Sequence, residues 1–250
     1  MGRIEAKVAL ITGAAGGIGS AAARRFVEEG AKVFLVDREE NSLKRLCEEF
    51  SPEQAAYFVA DVTDEAAVRA SVASATGRFG RIDVALLNAG TEGEIGKIED
   101  IPVAVYDRVM AVNVRSVWLG LAALIPEMRQ AGGSIIITSS VAGLRGSPRL
   151  AAYSASKHAV IGLMKSAAIE GAPNGIRVNT VNPSATRTRM IDSIDDAMRA
   201  AGRTGDSAAR VPLGRYAEPS EVVSLMLFLA SDESRFCTGG TYLIDGGSMG

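Results

Sequence analysis

Short apolar runs alternate with longer segments of helical periodicity along the whole chain. Most of these runs are apolar at nearly every position, which is typical of parallel strands buried on both faces. Strands are predicted at 8–12, 32–36, 55–60, 82–87, 133–138, 176–181 and 240–244. Helices are predicted between them, at 20–29, 42–50, 64–79, 106–129, around 153 and at 220–230. This alternation predicts an α/β fold: a doubly wound parallel sheet of about seven strands with helices on both faces.

The composition is that of one soluble domain spanning residues 1–250. Apolar residues make up 47% and charged residues 22%, and the net charge of −2 leaves no basic surface for nucleic acid. No apolar run approaches the roughly 18 residues of a membrane span, and the N-terminus lacks a signal-peptide pattern. Cys47, Cys237 and the single histidine, His158, show no metal-ligand spacing. We therefore expect a reduced, cytoplasmic protein without a metal, nucleic-acid or membrane partner.

The first predicted strand runs into a glycine-rich turn, from Thr12 to Gly19, and then into a helix. Glycines in this context permit a tight turn and close approach of the backbone to a pyrophosphate at the helix N-terminus. The second strand ends at Asp37, roughly 20 residues on, where an acid would hydrogen-bond the ribose hydroxyls of NAD. The alternative is a tight strand–helix connection without a ligand. The strand, the helix and the acid together favour a Rossmann-like dinucleotide site.

A phenol and an ammonium lie one helical turn apart at Tyr153 and Lys157, downstream of the hydroxyl of Ser140. Residues four apart share one face of a helix. Lowering the pKa of a phenol from ~10 to ~7 requires about 4 kcal/mol. One ammonium about 4 Å away supplies roughly that at an effective dielectric constant of about 20. The spacing therefore allows a phenol that exchanges a proton at physiological pH, although many surface helices carry the same spacing by chance.

Polar and glycine residues follow the ends of the other predicted strands as well. The carboxyl ends of parallel strands meet at one edge of the sheet, and ligands of such folds bind beyond that edge. The features that fall there are the Gly13 turn, Asp37, Asp61, Asn88, Ser140 and Pro183. Their common position makes Tyr153 and Lys157 candidate catalytic residues rather than a chance pair.

Taken in order, these motifs resemble the short-chain dehydrogenase/reductase family over nearly the whole chain. The motifs are Thr12-Gly13-x-x-x-Gly17-x-Gly19, Asp61-Val62, Asn88-Ala89-Gly90, Asn113, Ser140, Tyr153-x-x-x-Lys157 and Asn182-Pro183. The resemblance implies an oxidoreductase that transfers a hydride between a nicotinamide cofactor and a secondary alcohol or ketone. The family usually has glycine after Pro183. Ser184 stands there instead, where it would either narrow the space beside the nicotinamide or add a hydroxyl to it.

The resemblance also implies a role for each residue of the site. Ser140 would hold the substrate oxygen, and Tyr153 would be the general acid/base. Lys157 would lower the pKa of the phenol and bind the nicotinamide ribose, while the backbone of Asn113 would hold a water that connects Lys157 to solvent. The implied cofactor contacts are Gly13, Gly17, Ile18, Gly19, Asp37, Arg38, Asp61, Val62, Asn88, Ala89, Gly90, Tyr153, Lys157, Pro183, Thr186 and Thr188. Family members are commonly homotetramers, and the same assembly is expected here.

The acid at position 37 decides which cofactor we expect. Asp37 would repel the 2′-phosphate of NADP, and the glycine turn carries Ala14 and Ala15 with no basic residue to receive it. Arg38 beside the acid would stack on the adenine, tolerate the phosphate in part, or simply be solvated. We therefore expect NAD rather than NADP, and NAD in turn favours the oxidative direction.

Residues 186–211 are expected to form a lid over a small-molecule substrate. Apolar side chains at helix-like spacing would either close over the substrate or pack against the domain: Met190, Ile191, Ile194 and Met198. Arginines that would meet an anionic substrate, or be solvated, are Arg187, Arg189, Arg199, Arg203 and Arg210. An apolar wall of the pocket is predicted from Ile95, Val141, Leu144 and Leu150.

Two other functions stay open. An NADPH-dependent ketone reductase, including one acting on 3-oxoacyl groups carried by a protein, is the first. Asp37 and the lack of a basic surface for an acidic carrier argue against it. A cofactor-binding regulator without catalysis is the second, but such proteins tend to lose the tyrosine or the lysine, and this chain keeps both.

Overall fold

The computed structural model describes residues 2–202 and 206–250. Its strands are β1 (Val8–Thr12), β2 (Lys32–Asp37), β3 (Ala55–Val59), β4 (Val84–Leu87), β5 (Gly133–Thr138), β6 (Ile176–Pro183) and β7 (Thr241–Ile244). Within the described ranges they form one parallel sheet in the order β3-β2-β1-β4-β5-β6-β7. The predicted α/β fold, a Rossmann-like doubly wound sheet, is confirmed. The strand order reverses between β1 and β4, and ligands of such sheets bind at this kind of switch point.

The helices that cover the sheet begin and end close to the predicted positions. They are α1 (Gly17–Glu28), α2 (Glu40–Cys47), α3 (Glu65–Phe79), α4 (Val103–Met110), α5 (Ser116–Met128), α6 (Ala151–Gly171), α7 (Arg189–Ala200) and α8 (Pro219–Ala230). α3 shows how local chemistry sets the ends. The carboxylate of Asp64 accepts from the backbone N–H of Ala66 at 2.8 Å, and Gly80 ends the helix at a φ of 84°.

Two apolar clusters lie on opposite faces of the sheet. Successive strand side chains point to opposite faces, so Ile11 packs with Phe26 of α1 on one face while Leu10 packs with Leu124 and Met164 on the other. Both faces are therefore covered by helices. This explains why the strands read as continuous apolar runs rather than as alternating ones.

The single helix predicted at 106–129 is interrupted in the structure. α4 and α5 are joined by a π turn at Ala111–Arg115, in which the N–H of Ser116 donates to the carbonyl of Ala111, five residues back. An ordinary α-helix bonds four residues back. Turns of this kind are frequent at functional sites, and this one contains Asn113. The apolar periodicity of 106–129 predicts one continuous helix and does not reveal this turn.

The same helical stretch bears on the expectation that no apolar run approaches the roughly 18 residues of a membrane span. Val103–Met128 is 26 residues long with a mean hydropathy of 1.6, which is long and apolar enough to cross a membrane by length and composition alone. Its inner side, however, contributes Val117, Leu121 and Leu124 to the core cluster beneath the sheet. Its outer side includes Trp118, which is 60% exposed. Core helices pass the same test.

Candidate active site

The register of the sheet brings the predicted site residues to one edge. Thr12 at the end of β1 pairs with Val36 of β2 and Leu87 of β4, and Thr138 at the end of β5 pairs with Val181 of β6. The residues that follow these strand ends are therefore neighbours in space.

Tyr153, Lys157 and Ser140 come together at the end of β5, as the sequence predicts. Tyr153 lies in the first turn of α6, and the Nζ atom of Lys157 is 5.6 Å from the centroid of its ring. Lys157 is 4% exposed and donates to the carbonyl of Thr138 at 2.8 Å. The hydroxyl of Ser140 hydrogen-bonds the phenol and also accepts from the N–H of Ala142 at 3.1 Å. A phenol, a hydroxyl and a buried cation thus lie together at the end of β5.

The electrostatics of this cluster differ from the expectation for the phenol. Burial raises the pKa of Tyr153 to about 12; the hydrogen bond from Ser140 acts in the opposite direction, and the charge of Glu92 adds to the rise. Burial also lowers the pKa of Lys157 to about 8. In the protein chain alone, the pKa of the phenol lies above its ordinary value, because removal from water has a larger effect than the hydrogen bond from Ser140.

The side chain of Asn113 is buried and held in place by hydrogen bonds. It is 1% exposed. Its amide nitrogen donates to the carbonyl of Thr91 and to the hydroxyl of Ser156, and its amide oxygen accepts from the N–H of Thr91 at 2.8 Å. Ser156 in turn donates to the carbonyl of Tyr153 at 2.7 Å. The π turn is therefore tied to the loop after β4 and to the first turn of α6.

The glycine turn leaves an open cradle at the start of α1. Gly13 has a φ of +63°, and a Cβ there would lie 2.8 Å from the Cα of Ala89. A Cβ on Gly19 would lie 2.2 Å from the carbonyl oxygen of Gly13. No side chain caps α1 and no acid lies in its first turn, so its N–H groups and dipole are available to an anion. Ile18 packs its side chain against the core, which leaves its backbone for a ligand.

The acids at the cofactor edge already have backbone partners. Asp37 accepts from the N–H of Ala15 at 3.0 Å and from that of Arg38 at 2.8 Å, so the acid also holds the glycine turn. Arg38 is exposed and pairs with Glu39 at 3.4 Å. Asp61 accepts from the N–H and hydroxyl of Thr63, and these bonds lower its pKa.

The segment after β4 connects the cradle to the catalytic cluster. Asn88 donates to the carbonyl of Gly13 at 3.2 Å and accepts from the hydroxyl of Thr138 at 3.0 Å. A Cβ on Gly90 would lie 3.5 Å from the Nζ of Lys157. Ala89 borders a small internal cavity, together with Val62. The structure thus brings the two halves of the predicted site together.

The far side of the site is formed by the chain leaving β6. Pro183 accepts from the hydroxyl of Ser140 at 3.4 Å. Ser184 donates its hydroxyl to the carbonyl of Asp245 at 3.0 Å, so the hydroxyl serves the C-terminal segment rather than the nicotinamide space where it was expected. Thr186 is buried, and the methyl group of Thr188 lies 2.9 Å from the Cβ position of Gly17. Thr188 is therefore adjacent to the N-terminus of α1.

The segment expected to be a lid contains α7, as its apolar spacing predicts. Met198 is buried, and the other apolar residues of the set are half-buried: Met190, Ile191 and Ile194. Arg187 pairs with Glu218 at 3.0 Å, whereas Arg189 and Arg210 are exposed. Arg199 pairs with Asp196. Arg203 lies outside the described residues.

Some residues of the site carry no recognisable pattern in the sequence. The carbonyl of Thr138 holds Lys157, Thr91 and Ser156 hold Asn113, and the charge of Glu92 acts on Tyr153. Each works through a contact between segments that are far apart in the chain. Only the side chain of Ser156, three residues after Tyr153, could have been placed on the same helix in advance.

A family model described as enoyl-(acyl carrier protein) reductase matches residues 13–249. The chain belongs to the short-chain dehydrogenase/reductase family. The predicted family is thus confirmed, and this family member is an oxidoreductase that binds a nicotinamide cofactor.

Three similar proteins illustrate what this short-chain dehydrogenase/reductase resembles. A 3-alpha-(or 20-beta)-hydroxysteroid dehydrogenase of Mycobacterium tuberculosis is 41% identical over 249 residues, covering 99% of this chain and 91% of the relative. A trans-4-hydroxycyclohexanecarboxylate dehydrogenase of Sinomonas cyclohexanicum is 41% identical over 253 residues, covering 98% and 93%. The structure of a 3-ketoacyl-(acyl-carrier-protein) reductase from Brucella melitensis complexed with NADH superposes with a TM-score of 0.91, at 34% identity, covering 98% of this chain and 99% of that one.

Proposed function

We propose that this enzyme uses NAD to interconvert a secondary alcohol and its ketone, with Tyr153 as the general acid/base. The observation that carries the proposal is the convergence of Ser140, Tyr153 and Lys157 beside the open cradle at the start of α1. The cradle fits a dinucleotide because the turn has no room for side chains at Gly13 and Gly19. Its free N–H groups suit a pyrophosphate.

The reaction assigns one task to each side chain. A bound oxidised nicotinamide would supply the hydride acceptor, and its positive charge would favour a tyrosinate. Tyr153 takes the proton of the substrate hydroxyl, and Ser140 donates a hydrogen bond to the same oxygen. Lys157, held by the carbonyl of Thr138, keeps a positive charge beside the phenol. In ketone reduction Tyr153 returns the proton.

We propose secondary alcohols on a ring as the substrate class. Two of the relatives act, by their names, on hydroxysteroids and on a hydroxycyclohexanecarboxylate. Of the predicted apolar wall, Leu144 is exposed and Ile95 half-buried, whereas Val141 and Leu150 are buried. A panel of cyclic alcohols, acyclic diols and sugar alcohols with NAD, followed by absorbance of the reduced cofactor, tests this. Cyclic alcohols should give the highest kcat/KM. Absence of turnover with every alcohol and ketone would favour a regulator that only binds nucleotide.

The cofactor preference provides a separate prediction. Wild-type enzyme should have a kcat/KM at least about tenfold higher with NAD than with NADP, because the carboxylate of Asp37 repels a 2′-phosphate. Asp37→Asn keeps an oxygen that accepts from Ala15 and removes only the charge. In the variant, the ratio of kcat/KM with NAD to kcat/KM with NADP should therefore be about tenfold lower than in wild type. Steady-state kinetics with both cofactors at equal concentration measure the ratio.

The control for this experiment is Glu39→Gln, which removes an exposed negative charge two residues away. Glu39 pairs with Arg38 and gives no side-chain hydrogen bond to the glycine turn. The NAD/NADP ratio of the control should stay near that of wild type. A wild-type preference of tenfold for NADP would contradict the proposal.

A second candidate is reduction of 3-oxoacyl groups on an acyl carrier protein. The similarity to the Brucella melitensis reductase, a structure complexed with NADH, favours it and shows that such a reductase is compatible with a cofactor lacking the 2′-phosphate. The net charge of −2 argues against docking of an acidic carrier. Assays with a 3-oxoacyl thioester and reduced cofactor, run beside the alcohol panel, distinguish the two.

The assembly, the compartment and the lid are also proposals. We propose a cytoplasmic homotetramer, supported by large apolar side chains exposed on α4 and α5, among them Val103, Tyr106 and Trp118. Residues 186–211 would close over the substrate. Their tether is Asp195 of α7, which accepts from the hydroxyls of Ser207 and Tyr216 at 2.6 and 2.5 Å.

A further inference from the structure

We propose that Arg149 binds an anionic group of the substrate, so that the alcohols preferred by this enzyme carry a carboxylate. This inference rests on the alcohol–ketone function proposed above. Arg149 lies in the connection between β5 and α6, four residues before Tyr153. Four residues span at most about 14 Å of chain, which limits the distance between the backbones of Arg149 and Tyr153.

The backbone of Arg149 is the first observation. Its φ is 68°, in the left-handed region, and among the described non-glycine residues only Ala6 shares a positive φ. Glycine adopts this conformation readily, whereas an arginine is strained in it. Such strain persists where the surroundings hold it, and it concentrates at ligand sites. Here the carbonyl of Arg149 accepts from the N–H of Gly96 at 3.0 Å, which fixes the strained residue against the loop after β4.

The side chain of Arg149 is the second observation. Its Nε atom is buried and has no hydrogen-bond partner. No ion pair to Arg149 is found within residues 2–202 and 206–250. Two other arginines have partners: Arg145 donates to the carbonyl of Ser248 at 2.8 Å, and Arg187 pairs with Glu218. A buried donor of a permanently charged group calls for an acceptor. The planar edge of a guanidinium matches a carboxylate through two parallel hydrogen bonds.

The two loops that meet at Arg149 both border the phenol. The loop after β4 carries Glu92, whose negative charge raises the pKa of Tyr153. A substrate carboxylate would be repelled by Glu92 and attracted by Arg149. The opposite signs would therefore orient a hydroxy acid, with the carboxylate at Arg149 and the hydroxyl at Tyr153 and Ser140.

The test compares 4-hydroxycyclohexanecarboxylate with its neutral carboxamide. Wild-type enzyme should have the higher kcat/KM with the acid. Arg149→Gln should lower the acid/amide ratio of kcat/KM by about 10- to 100-fold, mainly through the KM of the acid, as expected for a charge-assisted hydrogen bond. Arg149→Lys should keep part of the ratio. Arg145→Gln, which removes a positive charge from the same connection, should have the same acid/amide ratio of kcat/KM as wild type.

A second variant separates the ligand role from a structural one. Arg149→Gly removes both the strain and the guanidinium, so its Tm should rise by about 2–4 °C while the acid/amide ratio falls as in Arg149→Gln. A higher Tm with an unchanged ratio would overturn the inference, because the arginine would then be only a strained loop residue. Binding of cyclohexanecarboxylate, measured by calorimetry, needs no turnover and should weaken by the same factor in Arg149→Gln. Loss of turnover with this binding intact would overturn the proposed function alone.

Discussion

Replacing Tyr153 by phenylalanine should lower kcat by about 10²- to 10⁴-fold, the usual contribution of a general acid/base. The phenol is the proton partner of the reaction, and the hydroxyl of Ser140 cannot replace it, because a serine hydroxyl does not ionise in the physiological pH range. Phenylalanine keeps the ring and its packing in the first turn of α6. NAD affinity, measured by fluorescence quenching or calorimetry, should therefore stay within about threefold of wild type.

The matched control is Tyr57→Phe, which removes a phenol hydroxyl from a half-buried position of β3, where the ring packs against the core. Its kcat should remain close to that of wild type. If Tyr153→Phe kept most of the wild-type kcat, the assignment of the general acid/base would be wrong, whatever the cofactor affinity.

Replacing Lys157 by methionine should lower kcat/KM by about 10²- to 10³-fold, as expected when one preorganised charged donor is removed. The same variant should change how stability depends on pH. Burial lowers the pKa of Lys157 from its ordinary value of 10.5 to about 8. The charged form is therefore disfavoured in the folded protein by about 3 kcal/mol.

The direction of the pH dependence follows from proton binding. Between pH 8 and 10.5 the unfolded chain binds more protons at Lys157 than the folded one, so the free energy of unfolding rises with pH across this window. For Tyr153 the pKa is raised from 10.0 to about 12, so the folded state binds more protons above pH 10 and loses stability there. These two groups together favour a maximum in the free energy of unfolding near pH 10 in the cofactor-free protein.

In Lys157→Met the rise in stability between pH 8 and 10 should be absent. Urea unfolding of the cofactor-free enzyme at a series of pH values measures this slope. Lys165→Met serves as control, because Lys165 lies on the same helix but is exposed. An equal slope in wild type and Lys157→Met would show that the ammonium is not the group that burial penalises.

The fold could be predicted from the sequence because local signals and tertiary packing agree. The apolar runs end at polar residues, and the carboxyl ends of parallel strands all lie at one edge of the sheet. The π turn at Ala111–Arg115 could not be predicted, because a change of phase by one residue is hard to recognise over the few helical turns on either side of it. The spacing of Tyr153 and Lys157 placed the two on one face, as found.

The electrostatics and the loop contacts of the site could be predicted less well from the sequence. The spacing of Tyr153 and Lys157 indicates an attraction between ammonium and phenol but not their removal from water, and burial dominates both pKa values. Ser184 could not be assigned to Asp245 because the partner lies at the far end of the chain. The strain at Arg149 is a property of the backbone that residue types do not encode.

The π turn has a consequence for how this site tolerates insertions and deletions. Each residue of an α-helix rotates the chain by about 100°. Deleting one residue between Ala111 and Arg115 would restore regular α-helical bonding, yet it would turn everything on one side of the deletion by that angle. Either Asn113 would leave Thr91 and Ser156, or the apolar face of α5 would leave the sheet. The π turn thus sets the rotation of α5 against the core relative to the position of Asn113 at the active site.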